Sequence, residues 1–154
     1  MQPDLLIAPR AAPIREMMAP YLTELVPGGL PDYPHLSLYW HDRARLPYLI
    51  RVADDDVGFA LVRDHDDTGY HEMAEFYVRP RFRREGIGRA AAAMLFARHA
   101  GRWHLQVLDD NAPAQAFWAS VIPTPVHCEH RVAANGRRFS VMQFEVHTSG
   151  PRRR

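Results

Sequence analysis

One segment near the middle of the chain joins a strand-like run, a basic loop with two glycines and a helix-like run. The run Glu75-Phe76-Tyr77-Val78, apolar from Phe76 onward, comes first. The loop Arg83-Arg84-Glu85-Gly86-Ile87-Gly88 follows, and the alanine-rich stretch Arg89–Ala100 ends at Gly101. A helix that begins at such a loop presents backbone N–H groups, the positive end of its dipole and arginine side chains to one small volume. Glycine lets the backbone close on phosphate oxygens. The segment therefore predicts a strand–loop–helix unit that binds a phosphate group.

The same glycines also fit a dinucleotide-binding fingerprint. Gly86-x-Gly88-x-x-Ala91 matches G-x-G-x-x-G/A, and Asp109 lies near the end of the next apolar run, where a ribose-binding acid is expected. In that fold, however, the first glycine follows its strand almost directly, whereas residues 79–85 intervene here. The upstream pattern also predicts hairpins and not a βαβ unit. An oxidoreductase that binds NAD is therefore only a third interpretation.

Composition narrows the class of protein. The 154 residues are 47% hydrophobic, which suits one compact domain with a sizeable core. The net charge of +1 argues against a nucleic-acid binder, which needs a strongly basic surface. Cys128 is the single cysteine, so a reducing cytoplasm fits better than secretion. No segment approaches membrane-spanning length, and residues 1–4 lack the features of a signal peptide.

We therefore expect a cytoplasmic protein without membrane contact. The expected organisation is one domain over residues 1–148, followed by a disordered basic tail over residues 149–154. The sequence leaves the oligomeric state open, a homodimer included.

Apolar periodicity and turn residues predict an alternating series of strands and helices along the chain. Strands are predicted at 5–8, 48–53, 57–63, 71–78, 103–108, 127–132 and 138–146, and helices at 12–26, 36–44, 86–100 and 113–121. Acidic residues at Asp54-Asp55-Asp56, residues 64–69 and the pair Asn135-Gly136 predict hairpin turns. The predicted order is β-α-α-β-β-β-α-β-α-β-β.

A second motif follows the glycine loop after one predicted strand. Asn111-Ala112-Pro113-Ala114-Gln115-Ala116-Phe117-Trp118 follows the pattern Asn-x-x-Ala-x-x-Phe/Leu-Tyr except in its last position, and Arg83-x-x-Gly86-x-Gly88 follows Arg/Gln-x-x-Gly-x-Gly/Ala. Together with the element order, these motifs resemble the GNAT-type N-acetyltransferases, most specifically over residues 72–118. The resemblance implies an α/β (α+β) fold with a mixed, mostly antiparallel central sheet of about seven strands. About four helices would flank this sheet, which would splay between strands four and five.

The resemblance also implies a reaction and a cosubstrate. The protein would transfer an acetyl group from acetyl-CoA to a primary amine of a small molecule or peptide, by direct attack in a ternary complex. Strand four, the glycine loop and the second motif would bind the coenzyme. The implied residues are Phe76, Tyr77, Val78, Arg83, Arg84, Glu85, Gly86, Ile87, Gly88, Arg89, Asn111, Phe117 and Trp118. Asn111 is equally well explained as a helix cap.

Two carboxylates on the predicted fourth strand are candidates for the general base. Glu72 matches the position of the glutamate that histone-type members use, and Glu75 lies where polyamine-type members keep an acid. Because residues three apart on a strand face opposite sides, only one of the two is expected to reach the acetyl group. For each, the other interpretation is a surface carboxylate paired with an arginine.

Trp118 departs from the family pattern. Many members carry a tyrosine there that protonates the departing thiolate, whereas an indole N–H donates a hydrogen bond but is far too weak an acid to deliver a proton. The substitution keeps a second interpretation open, a non-catalytic module that binds or senses acyl-CoA.

Histidine and aromatic residues are candidates for an acceptor pocket and for a metal site. His35, Tyr39 and Trp40 follow the first predicted helix, where they would line the acceptor pocket or pack on the core. The run His127-Cys128-Glu129-His130 has the composition of a metal site, but strand alternation separates its two histidines and no distant ligand pair completes it. We therefore expect no metal.

Overall fold

The computed structural model describes residues 2–26 and 33–147. Among them, the strands are β1 (Asp4–Ile7), β2 (Arg45–Val52), β3 (Asp55–His65), β4 (Tyr70–Val78), β5 (Gly101–Leu108), β6 (Val126–Val132) and β7 (Arg138–Val146). The α-helices are α1 (Ala12–Leu25), α2 (Ile87–Arg98) and α3 (Ala112–Val121), and short 3₁₀ helices cover Leu36–Trp40 and Pro80–Phe82. None of these helices is both long and apolar enough to cross a membrane.

The seven strands are hydrogen-bonded in the order β1-β2-β3-β4-β5-β7-β6. The pairs β1 with β2, β2 with β3, β5 with β7 and β6 with β7 are antiparallel. Strand β4 pairs with β5 in parallel, from Tyr70 with Arg102 to Met73 with Leu105. The predicted fold class, a mixed and mostly antiparallel sheet of about seven strands, is confirmed.

The second predicted helix, at residues 36–44, is a 3₁₀ helix that ends at Trp40. The side chain of Asp42 explains the early end, because its Oδ1 accepts the backbone N–H of Ala44 at 2.9 Å. Such a local turn competes with helical hydrogen bonding.

Two predicted turns are shorter than expected. The β2–β3 turn consists of Ala53 and Asp54, since Val52 already pairs with Asp55. Arg51 and Asp56 pair across the two strands and form an ion pair of 3.0 Å, which keeps Asp56 in the strand. In the next turn, β3 continues through His65, so only residues 66–69 form the connection.

Chain contacts divide the protein into two compact units. The first comprises residues 1–63 and 74–91, and the second comprises residues 64–73 and 92–154. In the first unit, helix α1 buries Ile14 and Met17 completely, together with Phe59 of β3. In the second unit, Trp103 is fully buried and its ring centroid lies 5.1 Å from that of Phe96.

The single domain over residues 1–148 stays a prediction, and the predicted tail, residues 149–154, lies outside the described residues.

Candidate active site

The glycine loop of the first unit has the backbone geometry of an anion cradle. Arg84 and Gly86 both have positive φ, at 64° and 80°. The Gly86 carbonyl accepts the N–H of Ala90 at 3.0 Å, so Gly86 caps helix α2. The first N–H groups of an α-helix have no acceptor within it and carry the positive end of its dipole. A Cβ placed on Gly86 would meet no described atom within 4 Å, so there is room in front of this helix end for a ligand.

Arg83, the predicted phosphate ligand, is held by protein groups. Its Nε donates to the Val78 carbonyl at 2.8 Å, and its Nη2 donates to Oε2 of Glu24 at 2.7 Å. Its guanidinium also lies over the Tyr77 ring, 5.6 Å from the centroid. A phosphate bound by the loop would therefore compete with Glu24 for this guanidinium. The sequence analysis missed Glu24, which lies on α1, because no local pattern connects the two residues.

Strands β3 and β4 approach each other unusually closely just before this loop. A Cβ on Gly58 would lie 2.1 Å from the Tyr77 carbonyl oxygen, and Arg79 N–H donates to Val57 O at 2.8 Å. The Tyr77 side chain is buried in the core of the first unit, with its ring centroid 5.7 Å from that of Phe59. The backbone of Tyr77, and not its side chain, is therefore suited to bind a ligand.

Glu75 accepts hydrogen bonds from two tyrosines of the first unit. Tyr21 Oη donates to Glu75 Oε2, and Tyr33 Oη donates to Oε1 at 3.3 Å. Burial, and next the nearby charge of Glu75, hold the pKa of Tyr21 well above 10.0, so this phenol stays neutral and remains a donor. The sequence analysis named neither tyrosine in this role. Tyr21 follows the buried Met17 and Met18 on α1 by four and three residues, a spacing that places its ring in the core and leaves its hydroxyl in need of a partner.

Glu72 has different surroundings, in the second unit. Its Oε2 lies 2.6 Å from Nε2 of His65, and its backbone pairs with that of His104 on β5. The side chains of His65 and Glu72 are 27% and 19% exposed. Of the two candidate bases, one is thus bound by phenols and the other by an imidazole.

The second motif also lies in the second unit. Asn111 caps α3, because its Oδ1 accepts the N–H of Ala114 at 3.2 Å. Trp118 is buried, and its ring packs edge-on against Phe117 at 4.8 Å between centroids. Capping and packing thus account for Asn111 and Trp118, and their coenzyme contacts stay predictions.

The three predicted acceptor residues lie in different environments. Tyr39 is buried in the core of the first unit and stacks under Arg45, whose guanidinium lies 5.5 Å from the ring centroid. Trp40 packs against that core, and its Nε1 donates to the Ala8 carbonyl at 2.8 Å. His35 is exposed. Tyr39 and Trp40 therefore have packing roles, and an acceptor pocket at these residues stays a prediction.

Comparison with known proteins agrees with this arrangement. The family model for the acetyltransferase (GNAT) family matches residues 12–121. A search of curated protein sequences gives no match. Among solved structures, an acetyltransferase from Thermus thermophilus is 17% identical with a TM-score of 0.73, covering 94% of this chain and 97% of that one.

The names of two other solved structures state a cofactor and a substrate. A putative acetyltransferase from Salmonella typhimurium with its cofactor acetyl-CoA is 15% identical, with a TM-score of 0.73 and 98% coverage of both chains. The ribosomal-protein-S18-alanine N-acetyltransferase from Escherichia coli is 16% identical, with a TM-score of 0.63 and 99% coverage of both chains. At these identities the structures show a shared fold, and the family model covers most of the chain. The chain belongs to the GNAT acetyltransferase family.

Proposed function

We propose that this protein transfers an acetyl group from acetyl-CoA to a primary amine of a small molecule or peptide. The observation that carries the proposal is the open glycine cradle, where Gly86 has φ of 80° and a Cβ would meet no described atom at the start of α2. Such a helix end suits the pyrophosphate of CoA, because oriented N–H groups and the helix dipole both favour an anion. Two of the similar proteins support the choice of substrates, since one was solved with acetyl-CoA and another is named for acetylating alanine.

The reaction requires few side chains. The amine nitrogen attacks the thioester carbonyl carbon, a C–N bond forms, the C–S bond breaks, and CoA leaves as a thiolate. The attacking nitrogen, which is positively charged after the attack, loses a proton to give the neutral amide. Backbone N–H groups near Phe76–Val78 would stabilise the negative charge that develops on the carbonyl oxygen. Trp118 supplies no acid, but a thiol with a pKa of about 8.5 leaves readily as thiolate.

We assign the role of proton acceptor to Glu75. Two phenols orient its carboxylate, and it precedes by one residue the segment Phe76–Val78 that would bind the acetyl group. Glu72 lies four residues before that segment, and its Oε2 pairs with His65 at 2.6 Å. A carboxylate beside the acetyl group attracts a cationic amine and takes up its proton, directly or through water.

The test is a calorimetric titration with acetyl-CoA, with NAD in a parallel cell. We expect micromolar binding of acetyl-CoA and none of NAD. Gly86→Glu should abolish binding, because a carboxylate would lie where the pyrophosphate binds. Gly136→Glu is a matched control, since Gly136 has φ of 82° and equally open surroundings but lies in the β6–β7 hairpin. Normal binding by a folded Gly86→Glu variant would refute the cradle.

A second candidate function, a non-catalytic acyl-CoA sensor, is favoured by the buried tryptophan at position 118. Turnover separates the two functions. Release of free CoA thiol in the presence of a panel of primary amines supports the transferase, whereas binding without thiol release across the panel supports the sensor.

A further inference from the structure

The second unit brings His99 together with Asp64 and His71, which precede it by 35 and 28 residues. Asp64 lies near the end of β3, His71 on β4, and His99 directly after α2. One donor atom from each lies within 4.8 Å of the others. Two imidazoles and a carboxylate form a donor set that zinc and other first-row divalent metals bind.

The ring of His71 lies between two hydrogen-bond acceptors. Its Nδ1 lies 2.6 Å from Asp64 Oδ1, and its Nε2 lies 3.1 Å from the Ala100 carbonyl oxygen. Both neighbours are acceptors, whereas a neutral imidazole carries only one N–H. If Nε2–H donates to the carbonyl, the Nδ1 lone pair faces a carboxylate, and only a second proton or a metal ion makes that contact favourable. A backbone carbonyl that accepts the distal N–H is also the usual support of a metal-bound histidine.

His99 is positioned to complete the set. Its ring centroid lies 5.5 Å from that of His71, and the fully buried Trp103 packs against both rings at 6.2 and 5.3 Å. Trp103 Nε1 also donates to the His99 carbonyl at 2.7 Å. This hydrogen bond holds His99 beside the other two residues, with one donor atom within 4.8 Å of theirs. The position just beyond the last turn of α2 favours a cation as well, because the carbonyl end of a helix is negative.

A neighbouring group of side chains has the same kinds of donor atoms but a different hydrogen-bond pattern. His65, Glu72 and His104 also bring donor atoms within 4.8 Å of one another. There, the 2.6 Å contact with Glu72 needs one N–H, which His65 can donate from Nε2. This contact requires no additional cation, so the first group is the stronger candidate.

We propose that Asp64, His71 and His99 bind a divalent transition-metal ion of the zinc class, with water in the fourth position. A tetrahedral ion with bonds of about 2.0–2.1 Å holds its donors roughly 3.3 Å apart. The contact between Asp64 and His71 is 2.6 Å, so these two donors must separate by about 0.7 Å to admit the ion. The ion would link the β3–β4 hairpin to the α2–β5 connection within the second unit. The sequence analysis expected no metal because it started from residues 127–130 and found no distant ligand pair to complete a site there.

The experiment titrates the untagged, EDTA-treated full chain with zinc chloride by calorimetry. The chain carries Cys128→Ser, which removes an exposed thiol that binds zinc on its own. We expect one equivalent of zinc per chain and a rise in Tm of about 5–10 °C at a free zinc concentration ~100-fold above Kd. Cobalt(II) in place of zinc should give the visible absorption of a tetrahedral site. Absence of zinc binding would overturn the proposal and leave His71 as a hydrogen-bond partner of Asp64 alone.

Single substitutions identify the side chains that bind zinc. His99→Gln and Asp64→Asn each remove one donor with little change in volume, and each should weaken zinc binding by at least roughly 100-fold. His104→Gln is the matched control, since it removes one histidine from the neighbouring group, and it should leave the affinity within about twofold. Loss of binding in His104→Gln but not in His99→Gln would overturn the assignment. Nitrogen-15 NMR gives a check that needs no variant, because Nδ1 of His71 should shift on zinc addition; an unchanged resonance contradicts the proposal.

Discussion

The side chains of Glu75 and Glu72 have different hydrogen-bond partners, although both residues lie on strand β4. Glu75→Gln should lower turnover by roughly 10²- to 10³-fold, because a neutral amide cannot take up the proton of the amine. Glu72→Gln should change it only a few-fold, since Glu72 pairs with His65 and lies four residues before the segment Phe76–Val78. Thiol release at saturating acetyl-CoA measures both variants.

The pH profile provides the control. Activity left in Glu75→Gln should rise with pH as the amine loses its proton unaided. A severe loss in Glu72→Gln together with normal turnover in Glu75→Gln would reverse the assignment.

Tyr21 provides a second prediction at this scale. Its pKa is raised in the folded protein, first by burial and then by Glu75, so the unfolded chain releases this proton at lower pH than the folded one. This difference in pKa therefore stabilises the folded protein fully below about pH 10. The stabilisation is lost as the pH rises toward the pKa of Tyr21 in the folded state. Urea unfolding of the wild type should show falling stability above about pH 10. Tyr21→Phe should reduce this fall, and an equal fall in the variant would contradict the argument.

At the scale of elements, the contact between β3 and β4 is set by the absence of a side chain at Gly58. Gly58→Ala would place a methyl group 2.1 Å from the Tyr77 carbonyl, a backbone atom that cannot move aside without separating the strands. We expect a loss of about 3 kcal/mol or more in the free energy of unfolding, at the upper end for an overpacked site. The denaturant midpoint measures it.

Gly69→Ala is the control for that substitution. Gly69 has φ of 72° in a turn, and a Cβ there would meet no described atom within 4 Å. Its cost should be only about 1 kcal/mol, from the left-handed conformation alone. Equal losses for both variants would show that crowding against Tyr77 is not the cause.

At the scale of the whole molecule, ligand binding should raise the free energy of unfolding. Acetyl-CoA at about 100 times its Kd adds about 2.7 kcal/mol to the free energy of unfolding, if it binds only the folded state. Thermal unfolding should therefore shift upward by about 5–10 °C with acetyl-CoA, and NAD should leave it unchanged. Gly136→Glu should keep this shift and Gly86→Glu should lose it.

Much of the fold follows from local patterns. The helix from Ala12 ends within one residue of its prediction, and the strand Arg138–Val146 matches it at both ends. These elements are determined by apolar period, by proline in the first turn and by turn residues such as Asn135-Gly136, all of which act within a few residues. The shortened turns were missed because cross-strand pairing keeps Asp56 in β3, and that pairing does not follow from composition.

For the candidate site, the sequence by itself determined the family, the glycine loop and the helix that begins behind it. These depend on backbone conformations that particular residue types prefer, as the φ of 80° at Gly86 illustrates. Only the tertiary structure paired Glu75 with Tyr21, 54 residues away, Arg83 with Glu24, 59 residues away, and His99 with Asp64 and His71. Such partners are set by strand order and helix packing, because a side chain bonds with whatever the fold brings within a few ångströms, at any distance along the chain.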